Sequence, residues 1–148
     1  MKTKFGVSVA LLSVLCFFAG YFNYAACIVL FALCIAFCDN AIVKKNAASA
    51  TIFSTIIAAV CFVLNKVSYF YSSLITTIFN TVYKITENYD AYEWADVLRN
   101  IDIAEIASNL INFVFFIMTI IFIISAAKGN VVKVPFVGKL VEKHVDAE

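Results

Sequence analysis

Charge is scarce in this chain. Of its 148 residues only 14% are Asp, Glu, Lys or Arg, while 64% are hydrophobic, and the mean hydropathy is +0.95. A water-soluble domain is nearer a quarter charged and half apolar. So short a chain cannot bury such a surplus in its own core, because small domains leave much of their surface exposed. An ordinary soluble domain is therefore excluded, and the expected solvent is lipid. Histidine occurs once, at His144 in the tail, so the many Ser and Thr residues have no imidazole beside them in sequence. Glycine occurs four times and forms no phosphate-cradling loop; neither a zinc-protease helix motif nor a nucleophile elbow is present. The small net charge of +1 gives no reason to expect a nucleic acid partner. These absences leave no catalytic residues, no cofactor-binding residues and no metal ligands to nominate, and the chain is expected not to be an enzyme.

The five cysteines are Cys16, Cys27, Cys34, Cys38 and Cys61. They are odd in number, lack a CxxC spacing and sit in or beside apolar runs, which excludes a disulfide framework. Cys27, Cys34 and Cys38 share one helical face. Without a polar partner they read as small buried hydrophobic residues rather than a metal or redox centre.

What is present is hydrocarbon in long runs. From Phe5 to Cys38 no residue is charged. As one helix this run would reach about 51 Å, against a hydrocarbon core of about 30 Å, so it is expected to fold back. The break is placed at GYFN, residues 20–23, where Gly20 can end one helix and Asn23 can cap the next. The lysines and apolar core of the opening MKTKFGVSVALLSVLCFF imitate a signal peptide. Without a clean small-residue cleavage site, the segment is read as a retained first span. Two further apolar stretches end at Leu64 and at Ala127. The reading is an all-α, polytopic membrane helical bundle forming a single domain over 1–148. Its four transmembrane helices are placed at about 5–20, 24–38, 44–64 and 106–127, followed by a tail over 128–148. Asn109 and Asn112, near the entry of the last span, can bond to neighbouring helices.

Between the third and fourth spans lies a different texture. Over 67–86, Val67, Phe70, Leu74, Ile78, Val82 and Ile85 recur at spacings of 3 and 4, with Ser72, Ser73, Thr76, Thr77 and Asn80 elsewhere on the helix. This is an amphipathic helix. It can lie in the interface, pack over the bundle or continue helix 3. The interfacial placement is preferred because the segment would be sticky in water, and there the polar residues should be less buried than the stripe. Residues 87–105 hold six acids, among them two capping-box pairs, Asp90 with Glu93 and Asp102 with Glu105. Leu74, Ile78, Tyr92 and Trp94 form a candidate contact surface. The DxxE spacing suits helix caps better than the alternating oxygens of a calcium loop.

Charge placement sets the orientation. Lys2, Lys4, Lys44, Lys45, Lys128, Lys133, Lys139 and Lys143 fall on one side of a four-span layout, and Lys66, Lys84 and Arg99 on the other. The more cationic side is cytoplasmic. Both termini and the turn DNAIVKKNAASA are then inside, and residues 65–105 outside, in a multi-pass protein of the plasma membrane. Asp39, Lys44, Lys45 and Asn46 mark that inner turn.

Two stretches carry a family resemblance. FCDNAIVKKNAASATIF, residues 37–53, resembles the inner loop of the DUF4870 and Tic20-like small membrane proteins, and AAKGNVVKVPFVGKL, residues 126–140, resembles their ending. The extended 67–105 segment departs from that group's short connection. The Tic20-like side of the resemblance implies a protein-translocation component. The residues themselves lead first to a non-enzymatic membrane protein that acts through contacts, as a subunit, an immunity-type protector or an assembly factor. Its partners would be membrane lipids and either another membrane protein or a second copy of itself, and no cofactor is expected. The alternative is an oligomeric transporter or pore for a small solute. The absence of a carboxylate deep in any span weighs against proton coupling.

Overall fold

The computed structural model describes residues 7–87, 89–101, 103–135, 137–138 and 141. The regular elements among them are five α-helices: α1 (Val9–Phe22), α2 (Tyr24–Phe37), α3 (Ala41–Thr86), α4 (Asp90–Asn100) and α5 (Ile103–Ala127). Two of these, α3 and α5, are long and apolar enough to cross a membrane. At 14 residues each, α1 and α2 are about 21 Å long.

Local chemistry explains the boundaries. The Ser8 hydroxyl accepts from the Leu11 amide and opens α1. Asn23 is the one residue between α1 and α2. Its side-chain oxygen accepts from the Ala25 and Ala26 amides at 2.9 and 3.4 Å, so it caps α2 as expected. Gly20 does not end α1. It is buried within the helix, where an added Cβ would stand 3.4 Å from both Cys27 Sγ and the Ser54 Cβ. A methyl group would just fit there, and a longer side chain would not fit against α3. Asn40 caps α3, its side-chain oxygen accepting from the Ile42 and Val43 amides, while Asp39 is exposed. Gly129, at φ +76°, follows the end of α5 in the left-handed conformation that glycine adopts readily.

The largest departure from expectation is α3. The separate interfacial helix placed over 67–86 is part of one 46-residue helix, about 69 Å along its axis. No glycine or proline lies between residues 41 and 86 to interrupt the hydrogen-bond ladder. Helix α4 begins at Asp90 behind Tyr89, which makes no side-chain cap bond, so Asp90 and Glu93 both sit in its first turn. Acids there still favour the positive end of the helix dipole. Asp102, expected to cap α5, lies outside the described residues, as do Lys2, Lys4, Lys139, Lys143 and His144.

The chain divides into two compact units, residues 1–58 with 113–148 and residues 59–112. In the first unit α1 and α2 form a hairpin, joined by the start of α3 and the end of α5. Its interior holds mainly small side chains: Ser13, Cys16, Gly20, Cys27, Cys34, Ala47, Ala48, Ser49, Ala50 and Ser54 are all buried. Phe17, Phe115 and Phe122 are its large buried side chains, the Phe122 ring lying 5.5 Å from that of Phe17 and 5.3 Å from that of Phe53. Large apolar side chains such as Leu11, Phe18, Val29, Phe37, Ile117 and Ile121 point outward. In a water-soluble protein the interior takes the large apolar residues instead.

The second unit is built differently. Its part of α3 packs through Ser68, Tyr71, Ser72, Ile75, Thr76, Phe79 and Tyr83, which are half-buried. The Tyr71 hydroxyl donates to the Leu98 carbonyl at 3.1 Å, and Arg99 donates to Thr76 Oγ1 at 3.2 Å. Cys61 Sγ donates to the Asn112 side-chain oxygen, giving that asparagine the interhelical bond anticipated for it. Ser72 and Thr76 are thus more enclosed than the apolar stripe, the reverse of the expected order. Ser73, Thr77 and Asn80 are exposed.

Candidate functional site

The inner turn places its residues unequally. Asp39 is exposed and Lys44 and Lys45 are half-buried. Asn46, one turn into α3, is fully buried. Its Nδ2 donates to the Asn130 carbonyl at 3.0 Å, and its Oδ1 accepts from the Val132 amide at 2.8 Å. One amide therefore satisfies a backbone acceptor and a backbone donor in the segment after α5. A side chain that is both donor and acceptor is suited to hold an irregular strand of chain in this way.

That anchor brings residues 130–134 against the end of the bundle. Val132, Val134, Val137 and Val141 are buried there with Val9 and Val43. Hydrophobic spacing in the tail gave a signal for this packing. The role of Asn46 as its anchor was not readable, because its partners lie 84 and 86 residues away. The two stretches that carry the family resemblance thus meet in space. Beside them a partly open cavity of about 320 Å³ is lined by Ser8, Val9, Ala10, Ile42, Ala127, Lys128 and Gly129.

The cysteines are free thiols, four of them buried. Cys16 and Cys34 face each other across the α1–α2 hairpin with sulfurs 4.0 Å apart. Cys27 donates to the Cys16 carbonyl and also meets the Thr51 hydroxyl at 3.4 Å. Thr51 in turn donates to the Ala47 carbonyl within α3. Among the described residues no group of three or more His, Cys, Asp and Glu is arranged to hold a metal ion.

In the second unit the predicted contact residues Leu74, Ile78, Tyr92 and Trp94 are all exposed, by 43, 52, 44 and 61%. Leu74 and Ile78 share one stripe of α3. Tyr92 packs against Tyr83 in a tilted arrangement, with ring centroids 4.7 Å apart, and Tyr89 meets the same ring edge-on at 5.3 Å. Hydrogen bonding to Tyr89 raises the Tyr83 phenol above its ordinary value, and desolvation and Tyr92 push the same way. Arg99 also pairs with Asp96 on α4 at 3.4 Å, an exposed ion pair of little energetic weight.

No protein-family model matches this chain, and no curated protein or solved structure matches it.

Proposed function

We propose that this is a multi-pass plasma-membrane protein with both termini in the cytoplasm, acting through protein or lipid contacts as a subunit, an immunity-type protector or an assembly factor. The carrying observation is the distribution of side chains in the first unit: small and hydroxyl-bearing residues make up much of the interior beside a few phenylalanines and valines, while many large apolar residues face outward. In lipid, burial of large apolar groups gives helices no reason to associate. Close approach between small residues does, together with hydrogen bonds.

The proposed four crossings use α1 and α2 together with the two longer helices α3 and α5. Helices α1 and α2 extend about 21 Å, short of a 30 Å core by an amount that local bilayer thinning can accommodate. Lys44 and Lys45 then reach the inner headgroups by snorkelling, and Asn65 and Lys66 mark the far interface. Kinship with the DUF4870 and Tic20-like proteins belongs to the same proposal and rests on residues 37–53 and 126–140. A contact role is supported by the outward apolar stripe of α3, which carries no charged residue.

Reporter fusions test the layout. Fusions at residue 42 and at the C-terminus should report the cytoplasm, and one at residue 90 the outside. A C-terminus that reports the outside would overturn four crossings.

A further inference from the structure

The second half of α3 has three faces. One third packs within its own unit through Tyr71, Thr76 and Tyr83. A second third is polar and exposed, with Ser73, Thr77 and Asn80. The remaining third is the stripe Val67, Phe70, Leu74, Ile78, Val82 and Ile85, whose side chains are 40 to 77% exposed. The stripe is straight, because its spacing averages the 3.6 residues of a helical turn.

We propose that this stripe is the interface with a second copy of the chain, α3 packing against α3 in parallel. The proposal rests on the membrane reading above, which sets the geometry. About 20 residues of α3 carry it from the inner turn at Ala41 across a 30 Å core, and the helix continues without interruption to Thr86. Residues 67–86 then lie past the far interface, where lipid tails do not cover them and water makes the exposed stripe unfavourable.

Three features select a second copy as the occupant. Two copies inserted the same way up are related by a twofold axis along the membrane normal, so every residue of one α3 meets its own counterpart at the same height. A stripe parallel to the helix axis is thereby complementary to itself. The six side chains present ~600 Å² per copy, or ~1,200 Å² for a pair, which reaches the lower bound for a specific interface. No charge has to be buried, since Lys66 and Lys84 each stand about 100° around the helix from the stripe's axis.

Photocrosslinking in an otherwise native chain tests this. Leu74 and Ile78, on the stripe, and Ser73 and Asn80, on the polar face, are each replaced by p-benzoylphenylalanine in cells that co-express two differently tagged copies. Leu74→p-benzoylphenylalanine and Ile78→p-benzoylphenylalanine should each give an adduct of twice the chain's mass that carries both tags. The Ser73 and Asn80 positions should give at least tenfold less. Adducts to lipid alone, adducts to a different protein, or equal yields at all four sites would overturn the proposal. In uncrosslinked membranes, Leu74→Asp with Ile78→Asp should reduce mixed-tag co-purification at least tenfold and Thr77→Asp should leave it unchanged; equal effects would also overturn it. Carbonate extraction of the same membranes separates the two readings. Retention with no dimer adduct contradicts the dimer alone, and release contradicts the membrane reading.

Discussion

Helix α3 is two helices in its packing and one in its backbone. Every residue it fully buries lies in its first part, from Val43 to Ser54, and these are mostly alanine and serine with Asn46 among them. After Ser54 it buries nothing completely, and contact passes to the tips of long side chains such as Tyr71, Phe79 and Tyr83. Small residues bring backbones together and leave no room for error. Aromatic and hydroxyl groups reach across a gap and tolerate adjustment. The first part should therefore respond sharply to volume and to lost hydrogen bonds, and the second should respond mildly.

The largest contrast is expected at Asn46. Asn46→Leu removes both partners of the 130–132 backbone and leaves the buried Val132 amide unsatisfied, at a cost of about 2 kcal/mol or more. Thermal unfolding in detergent should show it, together with faster proteolysis near residue 130. Next comes Gly20. Gly20→Ala should be nearly tolerated, because its Cβ meets neighbours at ordinary contact distance, whereas Gly20→Leu should overpack α1 against α3 by about 1–3 kcal/mol. Thr77→Leu, in the second part, should change stability by less than about 0.5 kcal/mol. A Thr77→Leu as costly as Gly20→Leu would break the distinction between the two parts.

Tyr71→Phe deletes the bond to the Leu98 carbonyl and should cost about 0.5–1.5 kcal/mol. Amide exchange should rise in α4 and leave α1 and α2 unchanged. A similarly small effect is expected at Cys61, which is half-buried and bonded to an exposed asparagine. Cys61→Ser keeps a donor at that position and should leave the unfolding midpoint within a degree or two, about 0.5 kcal/mol. Replacing Cys16 and Cys34 together should cost more than Cys61→Ser, because both are buried in the close-packed hairpin.

The helices were legible in the sequence where a cap or a stop acts locally. Asn23, Asn40 and Gly129 perform the roles their chemistry suggests. Gly20 misled because glycine signals both a helix end and a close crossing, and the two meanings fall three residues apart here. The continuity of α3 was also written in the chain, as the absence of Gly and Pro from 41 to 86. The end of the apolar stretch at Leu64 suggested a boundary instead, although a change of composition need not interrupt a helix. Periodicity identified the members of the stripe. It could not tell which third of the helix is packed, since that depends on where α4 places the Leu98 carbonyl and Arg99. For the same reason the turn residues Lys44, Lys45 and Asn46 looked equivalent until the segment after α5 singled out one of them.

The central claim is that α3 crosses the bilayer and continues beyond it as the same helix. Spin labels at the exposed positions Ile56, Val63, Ser73 and Asn80 measure it directly, by comparing collision with oxygen in the lipid and with a water-soluble nickel complex. The account predicts a label deep in hydrocarbon at Ile56, one nearing the far interface at Val63, and fully water-exposed labels at Ser73 and Asn80. The change between sites should follow the helical rise of about 1.5 Å per residue. Equal depth at Ser73 and Asn80 within the headgroup region would mean that residues 67–86 lie flat on the membrane, and would contradict it.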